Sequence, residues 1–205
     1  MACDIDVSGS LNLMTGTQLF QGDRSINTRC KEDIFKYVGQ RFKDMGVMDE
    51  SKYVAFYSPD KQVAKTYSGC PTNCNSSSAC TNGWTHSFKT SRDLKLAAVN
   101  GIFELVDTEE IGECICGIEY DGIFIYYEPT ILNDTELSNR GIKETDEIAL
   151  CDPKTKLTYL ESDNCASITS NALCPFNDDN DTNKDENKNN EKMWLSVFGF
   201  ISTSL

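Results

Sequence analysis

Apolar residues recur at helical spacing in two stretches of the chain. Within residues 28–45, Ile34, Phe35, Val38, Phe42 and Met45 share one face, and Gly46 stands where a left-handed residue commonly ends a helix. Within residues 91–106, Leu94, Ala97, Ala98, Ile102 and Leu105 share a face, and Thr90 with Asp93 has the spacing of a capping-box variant. The spacing predicts an amphipathic helix in each stretch. Residues 53–58 form a nearly continuous apolar and aromatic run, followed by Pro59-Asp60 and a second β-prone run over residues 62–67. Proline then aspartate suits a type I turn, so these runs are read as a β pair. Residues 113–122, ECICGIEYDG, read as a strand ending in an acidic turn, with Cys114 and Cys116 on one face as small buried hydrophobes. Residues 11–27 and 68–90 lack a sustained period and read as loops. Beyond residue 128 come a weak helical pattern, a thin β piece near Ile148 and Cys151, and a closing helix over residues 159–174.

The pattern then stops. Residues 177–192, NDDNDTNKDENKNNEK, are a polar low-complexity linker that lacks the apolar residues to form a core. An EF-hand register on Asp179, Asp181 and Asn183 fails, because Lys184 stands where glycine is needed and Asn190 where glutamate is needed. Residues 193–205 are apolar and too short to span a bilayer as a helix. A polar spacer before an apolar tail has the outline of a GPI-attachment signal; a strand or helix that docks on the body is the rival reading. The expected organisation is a domain over residues 1–176, a linker over 177–192 and a tail over 193–205.

Charge narrows the partners. The chain has 32 acidic and 19 basic residues, a net −13, and the linker holds only six acids against three lysines. The body itself is therefore acidic, which disfavours nucleic acid and anionic membrane surfaces and leaves the possible C-terminal anchor as the membrane contact. Ten cysteines at irregular spacing imply disulfides in an oxidising compartment, with secretion or cell-surface display as the expected location. Sequons at Asn75, Asn133 and Asn180 agree with a glycoprotein. The N-terminus carries no signal-peptide pattern, and its abrupt start fits a signal already removed. Cys70, Cys74, Cys80 and His86, the one histidine, match no common structural zinc spacing. No motif activates a cysteine beside His86, so an enzyme is not expected.

One motif carries candidate chemistry. In residues 2–10, ACDIDVSGS, Asp6, Ser8 and Ser10 put one carboxylate and two hydroxyls at alternate positions of a tight loop, a set of hard oxygen donors suited to Mg²⁺, Mn²⁺ or Ca²⁺. The same residue types also make an ordinary turn after a strand. The D-x-S-G-S pattern resembles the metal-ion-dependent adhesion site of von Willebrand factor type A domains, the integrin I-like family, over about residues 2–122. The resemblance implies an α/β fold, an open and mostly parallel sheet flanked by helices; an α+β fold with an antiparallel sheet is the alternative. It further implies Asp6, Ser8, Ser10, Thr90 (with Thr85 in reserve) and Asp121 as ligands of a Mg²⁺ whose open position takes an Asp or Glu of a protein partner. Asp121-Gly122 between two β-prone runs is also a hairpin signal, and on that reading Asp121 is a turn residue. The expected function is metal-bridged extracellular adhesion; the alternative is a disulfide-stabilised structural or coat subunit indifferent to metal.

Overall fold

A computed structural model describes residues 5–23, 42–68, 83–117 and 119–164. Eight strands account for most of the regular structure: β1 (Gly9–Leu13), β2 (Gln18–Asp23), β3 (Val54–Tyr57), β4 (Trp84–Thr90), β5 (Leu94–Asn100), β6 (Gly122–Tyr126), β7 (Glu147–Cys151) and β8 (Leu157–Asn164). They form a five-stranded sheet in the order β1-β5-β6-β7-β3 and a three-stranded sheet in the order β2-β4-β8. Among these described strands only β5 and β6 pair in parallel, and their other ladders are antiparallel.

The two sheets share their chain. β1 runs into β2 through a turn at Gly16, β4 runs into β5 across residues 91–93, and β7 runs into β8 through a single helical turn. Thr90 holds the bend. Its amide donates to Thr17 O and its carbonyl accepts from Gly16 N, both at 2.9 Å. Its hydroxyl donates to Met14 O at 2.7 Å and accepts from Thr17 N at 3.0 Å. On the far side Phe20 and Ser58 exchange backbone hydrogen bonds of 2.9 and 2.7 Å, so β3 also touches the small sheet. Leu19, Phe88 and Leu157 from the small sheet and Leu96, Ile123, Phe124, Ile148 and Leu150 from the large one then bury in a common core.

Short helices cover the edges, and the first three are started by a side-chain cap. Asp60 accepts from Gln62 N and Val63 N to open α1 (Lys61–Tyr67), which buries Ala64. That helix lies on β2 where Gly22 has no side chain; a Cβ there would sit 2.1 Å from the Ala64 carbonyl. Asp107 caps α2 (Thr108–Cys114), which buries Ile111 and carries the parallel crossover from β5 to β6. Asn133 and Glu136 form a capping box on α3 (Asp134–Arg140), which buries Leu137 and ends at Gly141 with φ +68°. The last, α4 (Pro153–Lys156), follows Asp152 at φ +40°. A disulfide joins Cys116, just past α2, to Cys151 at the end of β7.

This architecture corrects the expected one. The open, mostly parallel, helix-flanked sheet is not what forms, nor does the α+β alternative describe the result: the described chain is mostly β, with one mixed and one antiparallel sheet. The described connections explain why. Parallel neighbours need a crossover of a dozen residues or more; the link through α2 supplies one between β5 and β6, whereas the short links β1–β2, β4–β5 and β7–β8 carry the chain into the other sheet, and the remaining ladders pair antiparallel. The helix expected over residues 91–106 is β5 and the turn after it. β5 is buried along both faces apart from Lys95, so its apolar run mimics helical spacing. The second β run, residues 62–67, is instead α1, because Asp60 supplies the cap. The strand expected over residues 113–122 is the end of α2 and the approach to β6. Residues 157–164 are β8 rather than the start of a closing helix. Within the loop expected at residues 11–27 lie the end of β1 and β2, and β4 lies within the one expected at 68–90. Phe42 to Asp44 are helical and Gly46, at φ +84°, ends that turn; the rest of the helix expected over residues 28–45, with the linker and the tail, lies outside the described residues.

Candidate functional site

The five residues assigned to a metal lie in three places. Asp6 is exposed ahead of β1. Ser8 donates its hydroxyl to Ala98 O at 3.1 Å and accepts from the Tyr126 hydroxyl at 3.0 Å, so both its proton and a lone pair are committed inside the sheet. Gly9 lets α3 approach: a Cβ there would stand 2.4 Å from Asp134 Oδ1, the oxygen that accepts from Ser10 N at 2.7 Å. Thr90 is the bend residue between the sheets, and the reserve candidate Thr85 is buried 3.5 Å from the Ser68 hydroxyl. Asp121 precedes β6, at the end opposite Tyr126 and Ser8; the length of that strand, about 15 Å, lies between them.

Asp121 is neither a hairpin tip nor an open ligand. Its two oxygens take a bidentate pair from Arg92, at 2.6 and 3.1 Å, and the Lys95 amide at 3.1 Å. Burial works against its charge, yet Arg92 and the Lys95 amide hold the carboxyl below the usual carboxylate range. A guanidinium in that position repels a cation. These residues therefore do not fit a shared hard-oxygen cage, and among the described residues no group of three or more His, Cys, Asp or Glu side chains is placed to hold a metal.

A different feature is assembled at the carboxyl ends of β5 and β6, the parallel pair. Asn100 organises it. Its Oδ1 accepts from Ile102 N at 2.9 Å and its carbonyl from Phe103 N and Glu104 N, which folds residues 101–104 into a tight turn. Its Nδ2 donates to Glu128 O and Thr130 O at 2.8 and 3.0 Å, tying that turn to the loop after β6. The second loop is braced from beneath. The Tyr126 hydroxyl accepts from Leu132 N at 2.9 Å, and Arg140 makes a bidentate pair with the fully buried Asp146 at 2.7 and 2.8 Å while its Nε donates to Glu128 at 2.6 Å. Hydrogen bonding to Asp146 offsets the effect of burial and raises the Arg140 pKa, so this cation is permanent.

What this scaffold holds out to solvent is apolar. Ile102, Phe103 and Ile131 are each more than half exposed, Leu105 is 85% exposed, and Tyr127 is at the edge of the group. Sequence patterning placed Ile102 and Leu105 on a buried helix face and so missed the platform. Its available signal was Asn100-Gly101, a turn dipeptide inside the supposed helix.

Two polar arrangements have structural roles. Buried His86 has Nδ1 2.6 Å from Ser162 Oγ, which is 2.5 Å from the Tyr159 hydroxyl, and this chain ties β8 to β4. Beside the disulfide, a cleft of about 290 Å³ is lined by Ser51, Tyr120, Asp121, Asp152 and Lys156. Lys156 donates to Cys151 O at 2.5 Å, and burial lowers its pKa against the pull of Asp121 and Asp152.

No family model, no curated protein and no solved structure matches the chain.

Proposed function

We propose that this chain is a disulfide-stapled protein-binding module that docks a partner through the apolar platform of Ile102, Phe103, Leu105, Tyr127 and Ile131, without a metal bridge at the D-x-S-G-S loop. The observation that carries the reading is the exposure of these side chains on two loops tied together through Asn100. Large apolar groups held outward by a buried hydrogen-bond scaffold mark an interaction surface, whereas scattered exposed apolar residues do not. An oxidising, extracellular setting is supported by the Cys116–Cys151 bond, and all three described cysteines are disulfide-bonded.

The test is a displayed-peptide selection on the full chain, counter-selected against the variant Phe103→Ser/Leu105→Ser. Peptides that bind the parent, lose binding to the variant, and bind equally in EDTA support the reading. If the recovered peptides bind the variant as well as the parent, or if EDTA and Asp6→Ala abolish their binding, metal-bridged adhesion takes its place.

A further inference from the structure

From residue 96 to residue 139 the sequence holds ten acidic residues and no lysine, arginine or histidine. Both loops of the platform fall inside this stretch. Glu104 lies between Phe103 and Leu105; Asp107, Glu109 and Glu110 follow at the start of α2. The cations that approach the region are committed elsewhere: Lys52 to Glu113, Lys95 to Glu119, Arg92 to Asp121, and Arg140 with Lys143 to Glu128. Glu104, Asp107, Glu109 and Glu110 form no ion pair among the described residues.

From this arrangement we infer that the partner is a protein segment whose apolar side chains are flanked by lysine or arginine, a basic amphipathic helix or strand. The inference rests on the platform reading above and adds the partner's charge. An apolar surface edged by unpaired carboxylates repels a second copy of this acidic chain and repels acidic partners, because like charges brought together during docking are penalised. A cationic flank gains the opposite: attraction during approach, and pairing with carboxylates that need no side chain of their own molecule displaced.

Fluorescence anisotropy of three labelled model peptides against the full chain tests both layers. One is an amphipathic leucine/lysine peptide, one its leucine/glutamate counterpart, and one a serine/lysine peptide of equal charge without the apolar face. The expected result is binding of leucine/lysine alone, weakened by salt, weakened on the order of tenfold by Glu104→Lys/Glu109→Lys, and lost in Phe103→Ser/Leu105→Ser. Phe103, Leu105 and Glu109 are exposed and Glu104 is half-buried; Glu109 lies in the first turn of α2 without capping it, and unchanged thermal melts will verify that the variants fold. If leucine/glutamate binds as tightly as leucine/lysine and Phe103→Ser/Leu105→Ser abolishes both, the charge inference is overturned and the platform stands. If leucine/lysine and serine/lysine bind alike and Phe103→Ser/Leu105→Ser changes neither, the platform itself is overturned.

Discussion

Gly9 illustrates how single residues of the D-x-S-G-S motif act. With Asp134 Oδ1 only 2.4 Å from any Cβ, Gly9→Ala must push α3 away from β1 and strain the Ser10–Asp134 hydrogen bond. A loss of about 1–3 kcal/mol is expected, measured by urea denaturation. Asp121 gives a pH signature. Its folded pKa is depressed, so it contributes stability above its unfolded value of about 3.9 and loses it as pH falls through the lower folded value. Asp121→Asn should therefore melt below the parent near neutrality, with the two melting temperatures converging in acid. Glu147 has the opposite sign. Burial raises its pKa despite the hydrogen bond from Tyr67, so ionisation costs stability as pH rises through the raised value. The sequence displayed the letters D-S-G-S plainly, but a motif specifies residue types, whereas the groups that engage the Ser8 hydroxyl and the Ser10 amide lie about ninety and more positions away, at Ala98, Tyr126 and Asp134.

At the scale of elements, caps decided outcomes that periodicity could not. Gln62 to Tyr67 is β-prone by composition, yet Asp60 supplies two hydrogen bonds to the first turn and the segment is α1. Removing the cap by Asp60→Ala is expected to cost about 1 kcal/mol and to be read as a lower urea midpoint with an unchanged slope. Conversely, β5 resembled a helix because burial on both faces replaces alternation with a continuous apolar run. β3 and β7, short and apolar, were visible as strands near Tyr53 and Ile148 without such ambiguity. The platform was illegible for the same reason as β5: once Leu94 and Ala97 are assigned to a helix face, Ile102 and Leu105 are carried inward with them.

For the whole molecule, the Cys116–Cys151 bond closes a loop of 35 residues that contains β6, α3 and the second platform loop. The chain-entropy relation for a loop of that length gives about 4 kcal/mol of stabilisation. Cys116→Ala/Cys151→Ala should accordingly lower the melting temperature by roughly 10 °C, checked by calorimetry. Long-range pairing, such as β1 with β5 and β2 with β4 across more than sixty residues, leaves no local trace in the sequence. The bend at Thr90 has a further consequence for how the protein opens. Because three short links, β1 to β2, β4 to β5 and β7 to β8, each carry the chain from one sheet to the other, neither sheet can separate without pulling on its neighbour. Amides in β4 and β6 should then share one opening free energy in native-state hydrogen exchange, and Thr90→Val, which removes the hydroxyl bonded to Met14 and Thr17, should split them into two classes.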